Sequence, residues 1–338
     1  MIDKSKKVLV VGAGGFIGGH LVKKLIKNGN SVVACDIKSK EYWFQDFDEA
    51  QNHYSLDMKD ISNCRKVIND IDYVFNMACN MGGMGFIENN KAECMQSVLI
   101  NTNLLIASKE ASVKRYFFSS SACVYNASKQ KKVFIEALKE EDAYPPDPED
   151  GYGWEKLFSE RMCKHFNEDY GLEVRVARYH NVYGPYGTFD GGREKAPAAL
   201  CRKVAESKKN NKDTIDVWGD GEQTRSFLYI DECIEGTLRL FESDYSYPIN
   251  IGSDEQVSIN QMIGIIEEIS GVKPLNKKYQ LDKPKGVRGR SSNNDLIKKV
   301  LNWSYQMSLK DGLTETYKWI ESELSKKGLN FDRFTKSY

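Results

Sequence analysis

The chain of 338 residues carries no net charge: 48 lysines and arginines balance 48 aspartates and glutamates. No overall field draws it to nucleic acid or to an anionic membrane, so any anion site must be built locally. No stretch reaches the roughly 18 apolar residues that a membrane span needs. The eight cysteines (35, 64, 79, 94, 123, 163, 201, 233) are widely spaced, without a C-x-x-C pair. That pattern speaks against a zinc site or a disulfide framework and for a reducing compartment. Internal repeats and low-complexity tracts are missing too. The opening MIDKSKKVLVV has the basic lead and apolar run of a signal peptide. Glycines at functional spacing follow at once, and then polar residues, so a first β-strand is the better reading. These absences leave a soluble cytoplasmic protein with no metal, no nucleic-acid partner and no membrane partner as the expectation.

What is present is a core and a rhythm. With 41% hydrophobic residues the chain can bury a sizeable interior, arranged as two closely joined lobes. Val8–Val11 is a short apolar run ending in a glycine cluster, the mark of a buried parallel strand. Apolar positions from Phe16 to Lys27 recur at helical spacing, and Asn28-Gly29-Asn30 stops that helix. Further strands are predicted at 31–35, 72–77, 116–120 and 173–178, with helical patterns between them. Such alternation predicts an α/β fold, a Rossmann-type doubly wound parallel sheet. Beyond residue 183 the rhythm breaks, and helices are expected at 195–207, 258–270 and 308–326. The expected organisation is a Rossmann domain over 1–182, rejoined by the chain at about 227–252. A smaller C-terminal α/β lobe then comprises 183–226 and 253–338. The charged segment 206–213 reads as a solvated loop. The polar tail from Lys326 to Tyr338 is left unassigned.

Gly12, Gly15 and Gly18 have the spacing of a dinucleotide loop between the first strand and first helix. The first permits a tight turn, the second lets backbone approach a diphosphate, and the third lets helix and strand pack closely. Phe16 and Ile17 lie between them at the helix start, where free N–H groups and the helix dipole favour an anion. Asp36 ends the second strand eighteen residues past Gly18, placed to hold a ribose 2′-hydroxyl and repel a 2′-phosphate. NAD is therefore the expected cofactor, with Lys38 softening the choice. Asp57 and Met58 are candidate adenine contacts, although Asp57 reads equally well as a helix cap.

Tyr152 and Lys156 stand four apart and share a helix face. An adjacent ammonium lowers a phenol's pKa, so the tyrosine can take a proton as hydride leaves the same carbinol carbon. Ser121, after the strand-like run FFSS, would orient that alcohol. Cys123, two residues on, is a group that as thiolate can remove a proton beside a ketone; elsewhere a cysteine is most often packing. Lys195, before Pro197, starts a predicted helix, where a cation is slightly disfavoured unless an anion joins it.

The nucleotide loop followed by Ser121, Tyr152 and Lys156 resembles the extended short-chain dehydrogenase/reductase superfamily, and the likeness spans essentially the whole chain. Ala122-Cys123 stands where dehydratases of that superfamily carry Asp-Glu, which argues against dehydration. More specific runs are NMGGMGFI (80–87), SSACVY (120–125), YGWEK (152–156) and RYHNVYGPYGT (178–188). GGREKAPAALCRK (191–203), WGDGEQTRSF (218–227), IDECIEG (230–236) and GVRGR (286–290) continue the series. Together they resemble the GDP-mannose 3,5-epimerase family.

That resemblance implies transient C4 oxidation by bound NAD, inversion at C5 and C3 with Cys123 as base and Lys195 as acid, and re-reduction. It also implies substrate contacts at Gly83, Gly85, Ser121, Cys123, Asn181, Glu194, Lys195, Ala196, Lys203, Gln223, Thr224, Arg225 and Arg288, and a homodimer. Departures are Asn126 for a usual proline, Trp154 for a smaller residue, a longer loop before Trp218, and the tail. A related GDP-hexose or GDP-heptose, a nucleotide-sugar 4-epimerase, and a nucleotide sensor on a catalytically dead fold are the competing readings.

Overall fold

The computed structural model describes residues 2–47, 49, 50, 52–326 and 334. The chain begins with strand β1 (Lys7–Val11), helix α1 (Phe16–Lys27) and strand β2 (Ser31–Asp36). Then come β3 (Asn52–Ser55), α2 (Ile61–Ile68), β4 (Tyr73–Asn76), α3 (Met84–Asn89), α4 (Lys91–Met95) and α5 (Ser97–Glu110). Strand β5 (Arg115–Ser121), helix α6 (Asp150–Tyr170) and strand β6 (Glu173–Tyr179) follow. Residues 8–11 have virtually no exposed surface, because the sheet is covered on both faces; this explains the unbroken apolar run.

Next are β7 (Val182–Tyr183), α7 (Ala196–Lys209), β8 (Thr214–Trp218), β9 (Thr224–Ser226), β10 (Leu228–Tyr229), α8 (Ile230–Glu242) and β11 (Ile249–Ile251). Finally come β12 (Gln256–Ser258), α9 (Ile259–Ser270), β13 (Asn276–Gln280), β14 (Gly289–Arg290), α10 (Asp295–Leu301) and α11 (Leu309–Ser325). The main sheet has seven strands in the order β11-β6-β5-β4-β1-β2-β3. Every pairing in it is parallel, and Ser121 lies opposite Tyr179 at the β5–β6 carboxyl end. The order reverses between β1 and β4. The crevice beyond the strand ends at such a switch point is where open α/β sheets bind ligands.

The remaining strands form three small sheets: β10-β7, β12-β9-β14, and the parallel pair β13-β8. Helices α7, α9 and α11 pack against one another above them, with Leu200, Val204, Ile263, Ile266, Leu313 and Ile320 buried. No helix among the described residues is long and apolar enough to cross a membrane.

One strand was not foreseen, and two expectations need correcting. The edge strand β3 has the burial pattern of a solvent-facing segment, so it left no apolar run to detect. Lys195 precedes α7 as its N-cap instead of forming its first turn. Residues 206–209 of the expected loop are the last turn of α7, where Ser207 is buried and the lysines face outward. The expected lobe's residues 327–333 and 335–338, like most of the unassigned tail, lie outside the described residues.

Candidate active site

Two adjoining cavities, about 640 Å³ and 310 Å³, open at the carboxyl end of the sheet and share Met81, Ser121, Tyr152, Tyr179 and Lys195 as a common wall. Gly12, Gly15, Phe16, Ile17, Gly18, Asp36, Asp57 and Met58 all line the larger. A Cβ on Gly18 would stand 2.0 Å from the Gly12 carbonyl oxygen, so α1 and the loop meet at a distance only glycine allows. Gly15 caps α1 without a side chain, which leaves the first N–H groups facing the cavity. The Asp36 carboxylate accepts the Gly14 N–H at 2.9 Å and the Lys38 N–H at 3.0 Å. Burial pushes this carboxyl above its ordinary range, against the pull of Lys38. The Lys38 ammonium turns inward and donates to the Gly14 carbonyl at 3.0 Å. Asp57 is not the helix cap: Asp60 accepts the Ser62 N–H at 2.8 Å and caps α2. A glycine cradle, a bare helix terminus and an acid at the end of β2 are the donor set that an NAD diphosphate and ribose require.

Tyr152 and Lys156 lie on the buried face of α6, with the ammonium 5.6 Å from the tyrosine ring centre and 4.8 Å from that of Phe118. The nearest carboxylate oxygen to that ammonium belongs to Glu155, 3.6 Å away and as deeply buried. Burial opposes the lysine's charge, but Cys79 and Glu155 outweigh it and push Lys156 up. The Ser121 hydroxyl reaches the Tyr152 phenol and also accepts the Cys123 N–H at 3.2 Å. Against the expectation from the lysine alone, burial holds the phenol well above its ordinary range. Gly153 sets the spacing: a Cβ there would lie 2.4 Å from the Cys123 carbonyl oxygen, so α6 rests backbone to backbone on the cysteine's turn.

Cys123 lines the smaller cavity, and its sulfur accepts from Arg290 at 3.5 Å. That guanidinium is buried, bonded to Gln130 Oε1 at 2.6 Å and ion-paired with Glu149. Lys195 faces both cavities. Burial lowers its ammonium's pKa, and Cys123 lies near enough to pull it partly back. The α7 terminus adds a field against positive charge, making this lysine a readier proton donor.

The smaller cavity also gathers Gly83, Gly85, Asn181, Glu194, Ala196, Lys203, Gln223 and Arg225. Asn181 adopts a positive φ of 42° and bonds the Ser226 carbonyl at 3.0 Å, an orientation held by its neighbours. Arg225 spends two N–H groups on the carbonyls of Thr224 and Lys285 and keeps its charge beside the cavity. Two predicted contacts are not brought in. Thr224 is wholly buried and donates to the Val133 carbonyl, and Arg288 forms a two-pronged pair with Asp220 at 2.8 Å, outside the cavity lining. The GVRGR run offered two arginines, and Arg290 is the one at the cysteine. Arg193 was also missed: its guanidinium stacks 3.7 Å from the Phe86 ring centre and donates to Asn80 Oδ1 at 2.7 Å and the Met81 carbonyl at 3.0 Å. The departures sit apart from the chemistry. Asn126 bonds the Ser128 N–H and the Pro145 carbonyl, and Trp154 is 45% exposed on the outer side of α6.

This fold and this serine, tyrosine and lysine set define a nucleotide-dependent enzyme that handles hydride at a sugar carbinol. Residues 8–252 match the NAD dependent epimerase/dehydratase family. The chain is 48% identical to GDP-mannose 3,5-epimerase 1 of Oryza sativa subsp. indica, over 95% of this chain and 83% of the relative. Among solved structures it resembles UDP-glucose 4-epimerase of Thermotoga maritima with UDP-glucose, at a TM-score of 0.83 and 26% identity over 94% of this chain and all of that one. UDP-glucuronic acid 4-epimerase of Bacillus cereus, solved with UDP-glucuronic acid and NAD, gives a TM-score of 0.79 and 28% identity over 94% of this chain and 99% of that one. The chain belongs to the NAD dependent epimerase/dehydratase family, within its GDP-mannose 3,5-epimerase branch.

Proposed function

We propose that the chain converts GDP-mannose to GDP-L-galactose, and to GDP-L-gulose when C5 alone is inverted. The observation that carries this reading is the placement of Cys123 and Lys195 around one cavity that also holds Ser121 and Tyr152. Bound NAD supplies the acceptor and later the donor of the C4 hydride. Ser121 holds the C4 hydroxyl, and Tyr152 takes its proton once the positive charges of Lys156 and the bound nicotinamide offset the burial that holds the phenol up. The resulting 4-ketone acidifies the hydrogens on C5 and C3. Cys123, beside the Arg290 guanidinium, removes such a proton as thiolate, and Lys195 returns one to the other face of the carbon. Tyr152 gives its proton back to the C4 oxygen when the ketone is reduced. Lys203 and Arg225 supply fixed cations for the diphosphate in a chain without net charge. Gly83, Gly85, Asn181, Glu194, Ala196 and Gln223 enclose the hexose.

The substrate lobe in this reading is formed by residues 183–226 and 253–338. Eight unpaired cysteines accord with a cytoplasmic enzyme. A homodimer accords with Met95, Leu99, Trp154 and Phe158, which expose apolar surface on α4, α5 and α6.

Turnover of GDP-mannose in deuterated water tests the reading. Deuterium at C5 and C3, lost in Cys123→Ala, supports it. Label at C5 alone limits the enzyme to 5-epimerisation, and no label means another nucleotide sugar or a cysteine that only packs.

A further inference from the structure

The smaller cavity extends past the sugar-handling groups to strand β8. Residues along β8 alternate, with Ile215 and Val217 buried and Asp216 and Trp218 facing out, and both outward side chains line the cavity. Lys203 stands on α7 eight residues past its N-cap Lys195, about 12 Å along the helix at its usual rise. The β8 end of the cavity therefore lies beyond the proton-handling groups, where a nucleotide sugar would put its base.

Three chemical features meet there. Trp218 is 41% exposed, with its ring edge 3.2 Å from the Cβ position of Gly85, and presents a flat apolar surface. Lys203 donates from Nζ to the backbone carbonyl of Asp216 at 2.8 Å, so an ammonium rests against the same strand residue. The exposed Asp216 carboxylate adds two acceptor oxygens.

We propose that Asp216 reads the guanine of the substrate and sets the enzyme's choice of base. Guanine presents a carbonyl acceptor beside two adjacent donors, N1–H and the exocyclic N2–H. A carboxylate accepts both donors in parallel, a charge-assisted pair. Uracil presents one donor between two carbonyls, so the second carboxylate oxygen would face a carbonyl oxygen. Adenine offers an acceptor where guanine has N1–H. The indole face provides stacking that any base would use, which leaves discrimination to the carboxylate. This inference rests on the GDP-hexose reading and names the residue that makes it guanine-specific.

Titration calorimetry of the NAD-loaded protein with GDP and IDP tests it, since IDP lacks only the N2 amine. Wild type should bind GDP about ten- to a hundredfold more tightly than IDP, the scale of one lost hydrogen bond to a charged group. Asp216→Asn should bring that ratio to about one or invert it, with bound NAD unchanged because the side chain is exposed and does not line the cavity of the glycine loop. Equal wild-type affinities, or a ratio that survives in Asp216→Asn, would overturn the assignment while leaving the GDP-hexose reading standing. A wild type that binds UDP and not GDP would sink both.

Discussion

Replacing Gly83 by alanine is expected to disable the proton steps without unseating the cofactor. The new Cβ would lie 2.3 Å from the Glu194 carbonyl oxygen and 3.3 Å from its carbon. Both are backbone atoms, so no rotamer change relieves the clash. Restoring an ordinary contact requires the 193–195 segment to retreat by about 1 Å. The Gly83 N–H bond to the Arg193 carbonyl, 3.0 Å long, is strained by the same movement. Losing it costs about 1 kcal/mol, a few degrees in melting temperature at most. The kinetic effect is larger, because Lys195 follows Glu194 directly and a misplacement of about 1 Å costs on the order of a hundredfold in rate. Gly83→Ala should therefore keep its NAD and nearly all its stability but exchange deuterium into the sugar about a hundredfold more slowly. Gly264→Ala is the control: nothing lies within 4 Å of that Cβ position in α9, and the variant should gain about 0.5–1 kcal/mol. Deuterium exchange in Gly83→Ala within threefold of wild type would refute the placement of the 193–195 segment against this glycine.

Arg290→Met strands the Glu149 carboxylate in the interior and should cost about 3–5 kcal/mol in urea unfolding. Arg290→Met/Glu149→Gln should recover the stability but not deuterium exchange, separating the ion pair from the donor on Cys123. Asp36→Ala should lose co-purified NAD and bind NADP better, read from absorbance after gel filtration; unchanged NAD retention would remove Asp36 from the ribose. Burial pushes His180 down to about 3, and its Nε2–H donates to Asn250 Oδ1 at 2.9 Å. The unfolded chain takes up this proton below about 6.5 and the folded chain does not, so stability should fall as pH drops from there toward 3. His180→Gln should flatten that slope in unfolding curves taken across the range.

The parallel sheet was legible because its strands are apolar on both faces and its glycine loop has a fixed spacing. Strand β3 was not, since an edge strand with exposed side chains buries too little to leave a pattern. The cofactor glycines and acids and the Ser121, Cys123, Tyr152 and Lys195 set were readable from short-range spacing and resemblance, and all of them line the two cavities; Lys156 lies behind, beside the Tyr152 ring and outside both linings. Arg288 and Thr224 show the limit of that method. Both stand inside matching motifs, yet one is claimed by Asp220 and the other by the Val133 carbonyl, partners remote in the chain. Arg193 and Glu149 acquire their places only when loops from different strands converge. The phenol's upward shift likewise depends on enclosure, which residue spacing does not encode.

The contact of Gly153 with the Cys123 carbonyl fixes a length in the main chain itself. Tyr152, next to that glycine, and Cys123 keep their separation whatever side chains surround them. Evolution can then recut the walls of the sugar pocket, residue by residue, while the tools stay at the same gauge.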